Sequence, residues 1–132
     1  MTNTVSTALT FLYETLTGDT TFMSYVTGVY TGLAPVSAQP DFAIIVPQAM
    51  PKTLSANAVV VLSRPLFQVK LVGPRADYTN LSSAYDRALS LIGLVRSTAG
   101  ILSCYITSDL YVQETVAGDP WVNLGGLFRV EV

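Results

Sequence analysis

The sequence contains no histidine and one cysteine. Without histidine it lacks the commonest general base, the commonest zinc ligand and the middle member of a Ser-His-Asp triad. Cys104, standing alone, excludes an intrachain disulfide and reads as a small core residue on an apolar segment. Charge is scarce: 12% of residues are Asp, Glu, Lys or Arg, against about 25% in typical soluble domains. Seven scattered basic residues in a chain of net charge −2 give no clustered cationic surface for gripping phosphate backbones. No run reaches the roughly 18 uncharged apolar residues of a spanning helix, so no membrane role is expected and the chain reads as soluble. Met1-Thr2-Asn3-Thr4 has no basic residue of the kind that opens a signal peptide, and the protein is expected to stay in the compartment where it is made.

The glycines form neither a GxGxxG nor a GxxxxGK[ST] pattern, and no acidic residues alternate around a glycine as in a calcium loop. No cofactor or metal is expected. A carboxylate-only hydrolase remains as a remote alternative, with Asp77 and Asp86, or Asp109 and Glu114, as the pairs to nominate. Asp77 is better explained as a helix cap and Asp86 as part of a solvated face. The seven tyrosines, spread without basic partners, suit interfaces better than a stacking platform for single strands.

What the chain has in excess is apolar surface. Half of its 132 residues are hydrophobic, more than a small monomer readily covers. The length fits a single domain, residues 1–132, and association with copies of itself or with partners is the expected outlet.

Val5, Ala8, Leu9, Leu12 and Leu16 recur at helical spacing, with Asn3 or Thr4 to cap and Gly18 to stop. Asp19 starts a second, shorter helical turn carrying Phe22, Met23 and Val26 inward, ended by Gly28. Leu33 to Pro40 reads as a loop. Asp41–Val46, ended by Pro47, and Ala58–Leu62 have apolar residues on both faces, as strands covered on both sides do. Between them, Gln48 to Asn57 is a polar, small-residue stretch whose length suggests a contact loop.

Past Arg64-Pro65, the residues Phe67, Val69 and Leu71 alternate with Gln68 and Lys70, predicting a strand with one buried face. A long helix is expected from an Asp77 cap, with Leu81, Ala84, Ala88, Leu91, Ile92 and Val95 inward and Gly100 closing it. Ile101–Thr107 and Asp109–Thr115 read as strands. Gly118-Asp119-Pro120 turns into a last strand, Trp121–Val132, interrupted near Gly125-Gly126. The expected fold is α+β: an antiparallel-rich, mixed sheet with an N-terminal helix and one long central helix packed on one face.

This order of elements resembles the tail terminator proteins of long-tailed bacteriophages, also called tail completion or head-to-tail joining proteins. The resemblance is carried by Leu16-Thr17-Gly18-Asp19, Val26-Thr27-Gly28-Val29-Tyr30, and the proline-rich approach to Asp41-Phe42-Ala43-Ile44-Ile45-Val46. It continues through Phe67-Gln68-Val69-Lys70-Leu71-Val72 and Gly126-Leu127-Phe128-Arg129-Val130-Glu131-Val132. It implies a non-enzymatic virion protein of the tail-neck region, assembled in the host cytoplasm. Such a subunit forms a ring, usually a hexamer, on the end of the tail tube. The ring halts polymerisation of the tube protein and presents a surface to the head connector or stopper protein. Double-stranded DNA would pass without tight binding, which a lumen poor in basic residues favours. On this resemblance Gln48, Met50, Pro51, Lys52, Thr53 and Leu54 are candidates for tube or connector contact. Arg64, Lys70, Arg75 and Arg129 are candidates for inter-subunit contacts. A head-completion, stopper or minor tail protein of similar fold is the alternative.

Overall fold

The structure is a computed structural model that describes residues 4–49, 52–54, 60–98 and 100–132. The first helix, α1 (Thr4–Thr17), buries Ala8, Leu12 and Leu16 completely and Phe11 almost so. At its end the Gly18 amide donates to the Glu14 carbonyl. A one-turn helix follows, α2 (Thr20–Met23), whose Asp19 cap accepts a hydrogen bond from the Phe22 amide and so satisfies one of the donors a helix start leaves open. Phe22 is wholly buried and Val26 nearly so.

The three-residue strand β1 (Val29–Thr31), too short to show a period in sequence, runs parallel to β2 (Phe42–Ala49). Strand β2 continues through Pro47, contrary to expectation. Its pairing with β1 ends at Ile45, and its register against β5 shifts between Pro47 and Ala49. At this irregular strand end the missing proline N–H costs little. Strands β3 (Lys52–Leu54) and β4 (Val60–Ser63) pair as a short antiparallel hairpin. Backbone bonds between Ser63 and Val132 tie its base to the chain end.

Strand β5 (Leu66–Pro74) buries Phe67, Val69 and Leu71 on one face, as its alternation predicts. A 3-10 turn (Arg75–Asp77) leads into α3 (Tyr78–Ile92). The helix stops earlier than its apolar spacing suggests: the Gly93 amide closes it on Leu89, and Leu94 opens strand β6 (Leu94–Thr98). Val95 therefore lies in a strand, paired with Cys104, since a branched residue after a helix-ending glycine fits a pleated ladder at least as well as a helix. Gly100, at φ +81°, serves the turn of the β6–β7 hairpin, a conformation glycine adopts without strain.

The two C-terminal strand segments predicted on either side of Ser108 are one strand, β7 (Ile101–Val116), with a register shift between Ile106 and Ser108 in place of a break. Strand β8 (Asp119–Glu131) likewise runs unbroken through Gly125-Gly126. Among the described residues six strands form one sheet in the order β1-β2-β5-β8-β7-β6, antiparallel except at β1. Helix residues Leu12, Leu16, Phe22, Leu81, Ala88 and Ile92 join Ile45, Phe67, Val69, Leu71, Val122, Phe128 and Val130 of the sheet in one core. The mixed α+β fold with helices on one face is thus the expected one.

Candidate functional site

The sheet face away from the helices is the surface without a full covering layer. Side chains alternate along each strand, so the residues between the buried ones project here. Phe42, Ile44 and Val72 form a second apolar cluster, supported by Tyr30, Ala34, Ala38, Val46 and Trp121. Tyr30 meets Phe42 edge to face at 5.9 Å between ring centroids. Beside this cluster lies a groove of about 290 Å³ lined by Ile44, Lys70, Leu110, Val112, Glu114 and Asn123, among others. Glu114 accepts from Asn123 at 2.9 Å.

The curl of the sheet at this groove depends on Gly125. A Cβ there would lie 2.0 Å from the Val69 carbonyl oxygen and 2.6 Å from Lys70 Cα. The β5 backbone leans over β8 at that point, where any side chain would hold it off. The glycines expected to interrupt the strand instead let it curl.

Strand β6 covers β7 only from Ile101 to Tyr105. From Thr107 to Val116 the other edge of β7 meets no strand among the described residues, and such an edge is a template for pairing with another chain. Exposed apolar side chains lie on β7 and on β6 beside it. Leu94 and Leu102 are 67% and 58% exposed, and Tyr111, Val112 and Val116 are exposed as well. Tyr78 packs edge to face on Tyr111. Leu33 and Val36 stand clear of the surface on the loop before β2. The β6–β7 patch escaped sequence reading because Leu94 and Val95 were assigned to the helix; Gly93 was the signal that could have revealed it.

The residues proposed for charged contacts fall into two groups. Arg64 and Arg129 come together: Arg129 Nη1 donates to the Arg64 carbonyl at 2.7 Å. Arg64 in turn lies 3.4 Å from Glu131 and donates to the Tyr105 hydroxyl at 3.3 Å. Both are therefore engaged within the chain. Lys70, half-exposed, projects into the groove, and Arg75 is exposed at the 3-10 turn, near Glu114 and Trp121. Of the expected contact loop, exposed Gln48 belongs to the end of β2, and Lys52, Thr53 and Leu54 form β3. Met50 and Pro51 lie outside the described residues.

The nominated carboxylate pairs are not brought together. Asp109 accepts from the Tyr85 hydroxyl on the helix side, whereas Glu114 lies on the groove side. Asp77 stands at the N-cap of α3 without a side-chain capping bond, and Asp86, more than two turns further along the helix, is exposed. Cys104 is fully buried, its thiol 3.2 Å from the Ile92 carbonyl oxygen, and burial pushes its pKa up to about 12. At the α2 cap, a bidentate hydrogen bond from Arg87, at 2.7 and 2.9 Å, and the Phe22 amide hold the Asp19 carboxyl down at about 2.

No protein-family model matches the sequence, and no curated protein does. Solved structures do. A chain from the virion of a native gene transfer agent particle superposes with a TM-score of 0.68 at 16% identity, over 92% of this chain and 92% of that chain. The likeness is one of fold. A second solved structure superposes with a TM-score of 0.54 at 15% identity, over 96% of this chain and 92% of that one.

Proposed function

We propose that the protein is a structural virion subunit that assembles with copies of itself into a ring, a hexamer, at the head-proximal end of a phage tail tube. The ring stops tube polymerisation and offers a surface to the head connector. The observation that carries this reading is the superposition over nearly the whole of both chains on a component of a gene transfer agent virion. At that identity the shared property is shape, and a virion subunit acts through its shape.

The surface supports the same reading. A subunit in a ring buries area against two neighbours and its axial partners. The exposed residues of the β6–β7 patch, the open β7 edge and the uncovered sheet face are surfaces such contacts would take up. Of the four candidate cations, Lys70 and Arg75 are the ones proposed for contacts between subunits, since Arg64 and Arg129 are engaged within the chain. Gln48 and the β3–β4 hairpin are proposed for tube or connector contact. A net charge of −2 suits passage of DNA without capture.

Light scattering and electron microscopy of the purified protein, alone and with tube protein, test this. Rings, and tubes of fixed length when the protein is added during polymerisation, are the expected results. A Leu94→Ser, Leu102→Ser variant should fold normally and shift the assembly toward monomers. A protein that stays monomeric with tube protein present refutes the proposal, and rings that leave tube length unchanged favour a stopper.

A further inference from the structure

The strand order puts β1 at one end of the sheet and β6 at the other, and each end carries a groove that the chain leaves open. At the first end, Leu9, Thr10, Tyr13 and Glu14 of α1 and Thr31 of β1 line a groove of about 420 Å³. Leu9 and Tyr13 stand one turn apart on the same helix face, and Tyr13 is 41% exposed. Glu14 is the one charged side chain of α1, and it too is exposed. It lies in the last helical turn, where the free carbonyls disfavour an anion and favour a cation. No basic residue of α1 stands in that turn. The ion pairs among the described residues, Arg64 with Glu131 and Arg87 with Asp19, leave Glu14 without a cation.

The other end supplies what the first lacks. Leu94, Arg96, Leu102, Tyr105 and Glu131 are among the residues that line a groove of about 380 Å³ across β6 and β7. Leu94 and Leu102 are each more than half exposed. Glu131, the carboxylate of this groove, already meets Arg64 and accepts from the Ser103 hydroxyl. Arg96 is exposed and belongs to neither ion pair. Lys70 and Arg75 are placed differently, since each shares its groove with Glu114. One end thus offers an unpaired anion beside Leu9 and Tyr13, and the other an unpaired cation beside Leu94 and Leu102.

We infer, on the reading that copies of this chain form a ring, that neighbouring subunits meet head to tail across these two ends. The β6–β7 groove of one copy seats against the α1–β1 groove of the next. Arg96 pairs with the Glu14 it meets there, and Leu94 and Leu102 pack on Leu9 and Tyr13. The contact brings a cation to the negative end of α1 and covers apolar surface on both copies at once. Because its two halves differ, the contact is heterologous, and repeated contacts of that kind close into a ring when the rotation between copies allows. Either groove meeting its own copy about a twofold axis would instead bring like charges into one contact, which opposes association.

Charge reversal tests the contact in the intact chain. Glu14→Arg and Arg96→Glu should each weaken self-association, on the order of tenfold in the concentration at which assembly sets in, as read by analytical ultracentrifugation. Each variant then presents the same charge at both ends, and the opposite charge to the other variant. An equimolar mixture of the two should therefore assemble again into particles larger than a dimer, and the chain carrying both reversals should assemble by itself. Thermal melts show whether each variant keeps its fold. Where a reversal unfolds the chain, Glu14→Gln and Arg96→Gln take its place, with smaller losses of association expected and unchanged association counting against the contact. Single variants that assemble like the wild type, a mixture that stays apart, or restored particles no larger than dimers overturn the head-to-tail contact, while wild-type rings seen by electron microscopy leave the ring itself standing. A wild type that stays monomeric with tube protein present removes both.

Discussion

Replacing Gly125 by alanine adds one methyl group where the backbones of β5 and β8 approach closely. The new Cβ would lie 2.0 Å from the Val69 carbonyl oxygen, 2.6 Å from Lys70 Cα and 2.9 Å from the Val69 carbonyl carbon. All three are backbone atoms of a strand paired on both sides, so no rotamer change relieves the overlap and β5 must move away from β8. Overpacking of this kind costs about 1–3 kcal/mol, or more where the backbone is fixed. With two strands hydrogen-bonded to β5, about 3 kcal/mol is the expected loss. For a domain of this size that lowers Tm by roughly 10 °C. Gly118→Ala is the comparison: its φ is +85° but nothing lies within 4 Å, so it carries only the left-handed backbone penalty of about 1–2 kcal/mol. Urea unfolding of the wild type and both variants measures the difference, with unchanged slopes confirming that stability alone has altered. If Gly125→Ala costs less than Gly118→Ala, the sheet is not closed over that glycine and the account of the groove fails.

Asp19→Ala removes both the α2 cap and the partner of Arg87. It should lower Tm at neutral pH. Because the Asp19 pKa is depressed to about 2 from 3.8, its contribution is present above the ordinary value and lost as pH falls through the depressed one. The Tm gap between variant and wild type should therefore shrink from pH 5 to pH 2 in a series of thermal melts, and a gap independent of pH refutes the pairing. Cys104, buried and with its pKa raised to about 12, should resist a thiol reagent in the native protein at pH 8 and react fully in denaturant; rapid native labelling would show that the β6–β7 end opens.

Regular periods carried most of the fold into view. The inward residues of α1, the alternation of Phe67, Val69 and Leu71, and the two-faced apolar run of β2 each repeat often enough for burial to be read directly. Periodicity failed where one residue type suits two geometries. Val95 continues the helical stripe of α3, yet Gly93 ends the helix and pairing with Cys104 places Val95 in a strand. The Gly125-Gly126 pair read as a break because glycine weakens a strand; here it marks a close approach of two backbones. Asp77 read as a cap, and it does stand at the N-cap of α3, but its side chain makes no capping bond there.

By itself the sequence determined the class of fold and the scarcity of charge and of catalytic side chains, since these follow from local spacing and composition. Only the tertiary structure decided where the apolar excess lies, which cations are engaged within the chain, and which carboxylate is buried. Those depend on strand order and register, which bring distant segments together through contacts that no local pattern encodes.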